Sequence, residues 1–241
     1  MYGTWVILTV IFTSSLPVIA VLIWFRLAKY QFSISRFFLA LLAGAAAFFP
    51  ALLLQDLFTI NFLITSQLAL FFQYFIRIAF TEEFSRLLML FIFFLIDRRF
   101  NETSNARLNS QAHSGQSISW NAVKKGTATG LIAGLGFALL ENSVYGARDA
   151  SVLLLRVFTA TPLHAACGSR VGAAAVMFRT NPLQALFRFF SAVAIHGIYN
   201  LMVTRPGFPS IIAILIAISA LITAIMAIRG GWTDNAKESS L

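Results

Sequence analysis

The chain has 241 residues, of which 59% are hydrophobic and only 11% charged, and its mean hydropathy is +0.80. A soluble domain of this length cannot bury so much apolar surface, so lipid must be the solvent. The net charge of +9 lies at the ends of apolar segments rather than in a stripe; this argues against a nucleic-acid partner and fits the basic excess of cytoplasmic loops.

Seven apolar segments approach the length of about 20 residues that a span requires. They run over 4–25, 37–55, 72–96, 124–146, 151–178, 184–204 and 210–229. The start, MYGTWVILTV, lacks a basic n-region and a small-residue cleavage site, so the first segment is expected to persist as a helix. Segment 57–71 reads either as an interfacial lead-in to the third span or as a further span. Charge arbitrates between the two. With seven spans and the N-terminus outside, Arg26, Lys29, Arg36, Arg98, Arg99, Arg107, Lys124, Lys125, Arg179, Arg188, Arg229 and Lys237 fall on the cytoplasmic side. Only Arg148 and Arg205 fall outside, and an eighth span would destroy this bias. The expected fold is therefore all-α: a polytopic bundle of about seven helices, N-out and C-in, forming one domain over 1–241. Residues 97–123 form a polar cytoplasmic loop that places His113 in solvent.

The chain has only nine acidic residues and three histidines, yet Glu82, Glu83, Glu141, His164 and His196 lie inside these spans. A carboxylate at the bilayer centre costs at least about 2.5–3.5 kcal/mol, so such residues mark wet, functional interiors. In the third span, Glu82 and Arg86 share a helix face at i,i+4, while Glu83 reaches Arg86 at i,i+3. One arginine balances one charge, which leaves the other glutamate to be protonated, cation-bound or paired with a histidine. The fourth span carries Gly126, Gly130 and Gly134 as a close-packing stripe, followed by Glu141 and Asn142. Glu141 can either snorkel to the outer interface or join a site.

The fifth span carries Pro162 and His164, and the proline is expected to kink it and admit water. Beyond them Cys167, flanked by alanines and glycine, fits a tight helix contact, and as the lone cysteine it excludes an internal disulfide. The sixth span carries His196 and Asn200 on one face, where Asn200 can orient His196 or a substrate carbonyl. Counted from the outer end, Glu82 lies about 10 residues in, His164 about 13, His196 about 8 and Glu141 about 5. These groups share the outer half of the membrane and can meet. Arg77 and Arg156 lie near enough to the outer interface to snorkel, and Arg170 is expected to lean toward the cytoplasm; all three are given structural roles.

Two imidazoles and a carboxylate form the ligand set of a hydrolytic zinc site, with a second glutamate free to deprotonate water. The same groups also serve a metal-free glutamate base with His and Asn oxyanion donors. In order, the segments Glu82-Glu83-Phe84-Ser85-Arg86, Gly136 through Asn142, Pro162-Leu163-His164-Ala165 and His196-Gly197-Ile198-Tyr199-Asn200 resemble the motifs of the PrsW family of intramembrane proteases, distant relatives of the CAAX prenyl proteases. The resemblance covers about 78–201, within a catalytic half of about 72–204. Arg86 stands where the family usually has Lys, Asn200 where it has Asp, and Leu163 interrupts a Pro-Gly-His pattern.

The resemblance implies a protease of the bacterial inner membrane. It would cleave a membrane-anchored protein of the anti-sigma-factor type near the extracytoplasmic side. On that reading Glu82 is the first choice for the base, with Glu83 close behind. His164 and His196 bind a divalent metal such as zinc, or the oxyanion, and Glu141 is the third ligand or an orienting acid. A proton-coupled transporter or channel using the same groups as a relay is the alternative.

Overall fold

The computed structural model describes residues 2–30, 32–58, 67–97, 120–146, 149–205 and 207–229, and every regular element among them is helical. Helix α1 (Tyr2–Leu27) and α2 (Ile34–Leu57) each contain an internal proline, Pro17 and Pro50, which membrane helices tolerate where neighbours re-satisfy the freed backbone groups. A short α3 (Gln67–Phe71) runs through a π-helical stretch (Phe72–Phe80) into α4 (Thr81–Ile96). There follow α5 (Trp120–Gly146), α6 (Ala150–Phe158), α7 (Ala160–Met177), α8 (Pro182–Val203) and α9 (Phe208–Arg229). The expected positions of Arg98, Arg99, Arg107, His113, Arg148 and Lys237, and most of segment 57–71, lie outside the described residues.

Among the described residues, six helical stretches are long and apolar enough to cross a membrane, so the protein is a polytopic membrane helix bundle. The expected third span is also helical from Gln67 to Ile96, but not as one uninterrupted α-helix. At its π-to-α junction the Thr81 hydroxyl donates to the carbonyls of Arg77 (2.6 Å) and Ile78 (3.0 Å), where the backbone bonding register changes. The expected fifth span is broken at Thr159 (φ −121°, ψ −58°), three residues before Pro162. Proline thus occupies the first turn of α7, where a missing N–H is harmless, and the bend precedes it.

Burial separates centre from rim. In the spans centred on α5 and on α6–α7, 72% and 61% of the most apolar window is buried inside the protein, against 22–33% in the other four. The rim helices α1, α2, α8 and α9 present Phe, Leu and Ile to lipid, while α5 packs between α2 and α7. Glycine permits this close approach. A Cβ on Gly130 would collide with the Gly168 carbonyl, one on Gly134 with the His164 carbonyl, and one on Gly136 with the Leu41 carbonyl of α2. Without a hydrophobic force between helices in lipid, such backbone contact is a principal source of association. Cys167 is fully buried against α8, with Sγ 3.6 Å from the Ala192 carbonyl. At one end of the bundle Arg36 pairs with Asp97 at 2.8 Å, joining the start of α2 to the end of α4.

Gly134→Ala is expected to destabilise the bundle by about 1–3 kcal/mol, because the obstacle is rigid backbone. Gly146→Ala, whose Cβ meets only the flexible Leu153 side chain at 3.1 Å, is expected to cost less. Unfolding of the purified protein in detergent checks the order of the two.

Candidate active site

Four helices bring the expected residues together. The start of α4 supplies Glu82, Glu83 and Arg86, α5 supplies Glu141, α7 supplies His164, and α8 supplies His196. Glu82, Glu83, Arg86, His164 and His196 are all buried. The π-helical segment that leads into α4 packs against α8: Gly197 leaves room for the Phe75 ring, which a Cβ there would meet at 2.5 Å.

The single arginine chooses its partner by geometry. Arg86 Nη2 lies 2.6 Å from Glu83 Oε1 but 3.8 Å from Glu82 Oε2, so the tight pair is i,i+3 and not the same-face i,i+4 pair. Arg86 also donates from Nη1 to the His164 carbonyl at 3.3 Å, and its guanidinium lies over the Phe137 ring at 4.7 Å. Such a fully buried arginine is stable only while most of its donors are engaged.

These contacts set both imidazole tautomers. His196 Nδ1 bonds Glu83 Oε1 at 2.7 Å. A carboxylate that already accepts from Arg86 remains an acceptor, so a neutral His196 carries its proton on Nδ1 and presents a lone pair at Nε2. That nitrogen lies 3.7 Å from Glu82 Oε2. Arg86 Nη2 lies 3.3 Å from His164 Nδ1; because guanidinium only donates, this nitrogen accepts and a neutral His164 carries its proton on Nε2. There it lies 2.7 Å from Glu141 Oε2. The two rings stand edge to face, 5.1 Å apart.

Ligand atoms of Glu82, His164 and His196 all lie within 4.8 Å of one another. The expected metal set of Glu141, His164 and His196 differs from this compact group in one member. Glu141 neither snorkels outward nor stands free: its Oε2 is held 2.6 Å from Arg156 Nη2 as well as by His164. Arg156, read from sequence as a snorkelling residue, therefore turns inward. It also donates from Nε to Asn142 Oδ1 at 3.0 Å and stacks on Tyr145 at 4.1 Å. Asn142 in turn donates to Thr161 Oγ1 at 2.8 Å, and Tyr199 donates to Thr159 Oγ1 at 2.9 Å, so both motif residues tie their helices to the break before α7.

The Asn200 side chain is not hydrogen-bonded to His196, whose Nδ1 is taken by Glu83. Among the described residues the Asn200 side chain makes no hydrogen bond, and only the Asn200 carbonyl is engaged, by Thr204 at 3.2 Å. The sequence reading missed Gln55 of α2, whose Nε2 donates to Glu82 Oε1 at 3.1 Å. The signal for it was one amide in the last turns of an apolar helix. Arg77 bonds the Gln55 carbonyl at 3.0 Å instead of snorkelling. Arg170, rather than extending freely toward the cytoplasm, donates across to Ala220 and Thr223 of α9.

Three buried side chains from three helices that could hold a metal, with further carboxylates beside both imidazoles, form a set able to activate water for hydrolysis. No curated protein and no solved structure matches the chain. A family model described as the PrsW family intramembrane metalloprotease matches residues 33–227, most of the chain and more than the motif segment alone. The chain accordingly belongs to the PrsW family of intramembrane metalloproteases and is a multi-pass membrane peptidase.

Proposed function

We propose that this peptidase hydrolyses a peptide bond of a membrane-anchored protein, of the anti-sigma-factor type, near the extracytoplasmic face of a bacterial inner membrane. The observation that carries the reading is the convergence of Glu82, His164 and His196 inside a lipid-solvated bundle. The sidedness is supported by Arg36, Lys124 and Arg179, at or just beyond the ends of α2, α5 and α7 that lie away from Gln55, Glu141 and His164, with Arg26, Lys29 and Arg229 gathered at that same end of the bundle. The substrate class rests on the family likeness.

Glu82 Oε2 is buried without a hydrogen-bond partner, and it faces the lone pair of His196 Nε2. It is thus the atom positioned to take the proton of an attacking water and return it to the leaving amide nitrogen. Glu83 acts through His196, fixing its ring and tautomer. His164 Nε2–H and the Arg156 guanidinium are the donors suited to charge developing on the scissile carbonyl oxygen.

The donor set fits a divalent metal such as zinc. Glu82 offers an orphaned carboxylate oxygen, and His196 is backed on its far nitrogen by a carboxylate, as metal-ligating imidazoles are. Glu82 and the His196 Nε2 lone pair would hold the ion together with His164, one ring nitrogen of which would exchange its present partner, Arg86 or Glu141, for the ion; when bound it would supply Lewis-acid polarisation and a more acidic water.

Cleavage of a tagged single-span substrate in proteoliposomes tests this reading. Glu82→Gln is expected to lose about 10²–10⁴-fold in rate, and Glu83→Gln about 10–100-fold, because it acts through His196. Normal cleavage by Glu82→Gln, Glu83→Gln, His164→Ala and His196→Ala would end the protease reading. Solute or proton flux lost in these variants, with no proteolysis by the wild type, would point to the relay instead.

Chelator treatment is expected to abolish cleavage, and added zinc to restore it. Activity indifferent to chelation would assign the reaction to Glu82 without a metal.

A further inference from the structure

We infer that Gln55 is a positioning residue for the Glu82 carboxylate, held in place by Arg77. The inference rests on the reading of Glu82 as the reacting carboxylate. Gln55 stands on α2, outside the four motifs, in the run Pro50-Ala51-Leu52-Leu53-Leu54-Gln55-Asp56. Its amide donates to Glu82 Oε1 at 3.1 Å, while Glu82 Oε2 has no hydrogen-bond partner and faces His196 Nε2 at 3.7 Å.

A carboxylate rotates broadly about its last torsion, so something must decide which oxygen meets the imidazoles. Arg86 Nη2 stands 3.8 Å from Glu82 Oε2, beyond hydrogen-bond reach, and spends its close contact on Glu83. Among the described residues, Gln55 supplies the one hydrogen bond to Glu82's side chain. By holding Oε1 it directs Oε2 at the histidines.

Gln55 is itself braced. Arg77 Nε donates to the Gln55 carbonyl at 3.0 Å, and Arg77 Nη1 donates to Gln73 Oε1 at 3.2 Å. Arg77 and Gln73 lie on the π-helical stretch that runs directly into α4 and Glu82. The guanidinium also complements the carbonyl-rich C-terminal end of α2. The end of α2 and the start of α4 are therefore tied twice: once through main chain at Arg77, and once through side chain at Glu82. A displacement of either helix end moves the reacting oxygen, which is where small misplacements cost rate.

The test compares wild type with Gln55→Met, which keeps length but has no donor, and with Gln55→Glu, which keeps the shape but sets an acceptor against Glu82. In the single-span cleavage assay Gln55→Met is expected to lower kcat about 10–100-fold. KM should stay within about twofold, and the melting temperature near that of wild type. Gln55→Glu is expected to fall further, and Arg77→Met to fall in the same direction by less. Wild-type kcat in Gln55→Met would overturn the assignment, as would parallel loss of kcat, substrate affinity and melting temperature, the signature of packing alone. Wild-type protein that cleaves nothing would overturn the protease reading and this inference together.

Discussion

The site depends on the Arg86 guanidinium, a permanent charge buried in the interior of a bundle whose outer solvent is lipid. It cannot lose its proton, so its surroundings must supply the acceptors. Glu83 balances its charge, and the His164 carbonyl, His164 Nδ1 and the Phe137 face complete most of its shell. Each partner is thereby fixed in turn. Glu83 becomes a committed acceptor and sets the His196 tautomer, and His164 is turned so that its Nε2 faces Glu141. Arginine serves this better than a point charge, because its planar fork reaches two helices at once.

Helix packing feeds the same centre. The His164 carbonyl that accepts from Arg86 is also the one that Gly134 lets α5 approach. Bringing α5 this close carries Glu141 and Asn142 to α6 and α7, where Arg156 and Thr161 wait. Close backbone contact in lipid and polar pairing in the interior are thus one arrangement, since buried polar groups in a low-dielectric setting are costly unless engaged. The exceptions are informative. Glu82 Oε2 is left unpaired beside the two imidazoles with a free lone pair, and Glu83 Oε2 and Arg86 Nε in the same cluster are likewise buried without a hydrogen-bond partner.

The residues outside the motifs complete the picture through different physics. Arg156 is long enough to reach the outer interface, and read by itself it satisfies that rule. An acid placed across the bundle makes inward pairing the better alternative, because Glu141 would otherwise be a buried charge. Gln55 was invisible for a simpler reason: one amide in an apolar helix has many uses, and nothing local says what it faces. The π-helical stretch was equally illegible: Gln73, Tyr74 and Arg77 interrupt its apolar run without marking a change of backbone register, and the seating of Phe75 on Gly197 joins helices far apart in sequence.

The amino-acid sequence by itself determined the membrane class, the helical segments and the five costly ionisable groups, because hydropathy and burial cost act on each residue independently of its partners. The ordered motifs likewise determined the family. Only the tertiary structure decided which glutamate Arg86 takes, which carboxylate joins the compact group with the two histidines, and that Asn200 makes no hydrogen bond to His196. Those outcomes depend on distances of an ångström or two between helices far apart in sequence: 2.6 Å against 3.8 Å separates Glu83 from Glu82 at Arg86. Helical periodicity fixes a residue's face, but the neighbours on that face are set by how the glycine stripes let the helices close.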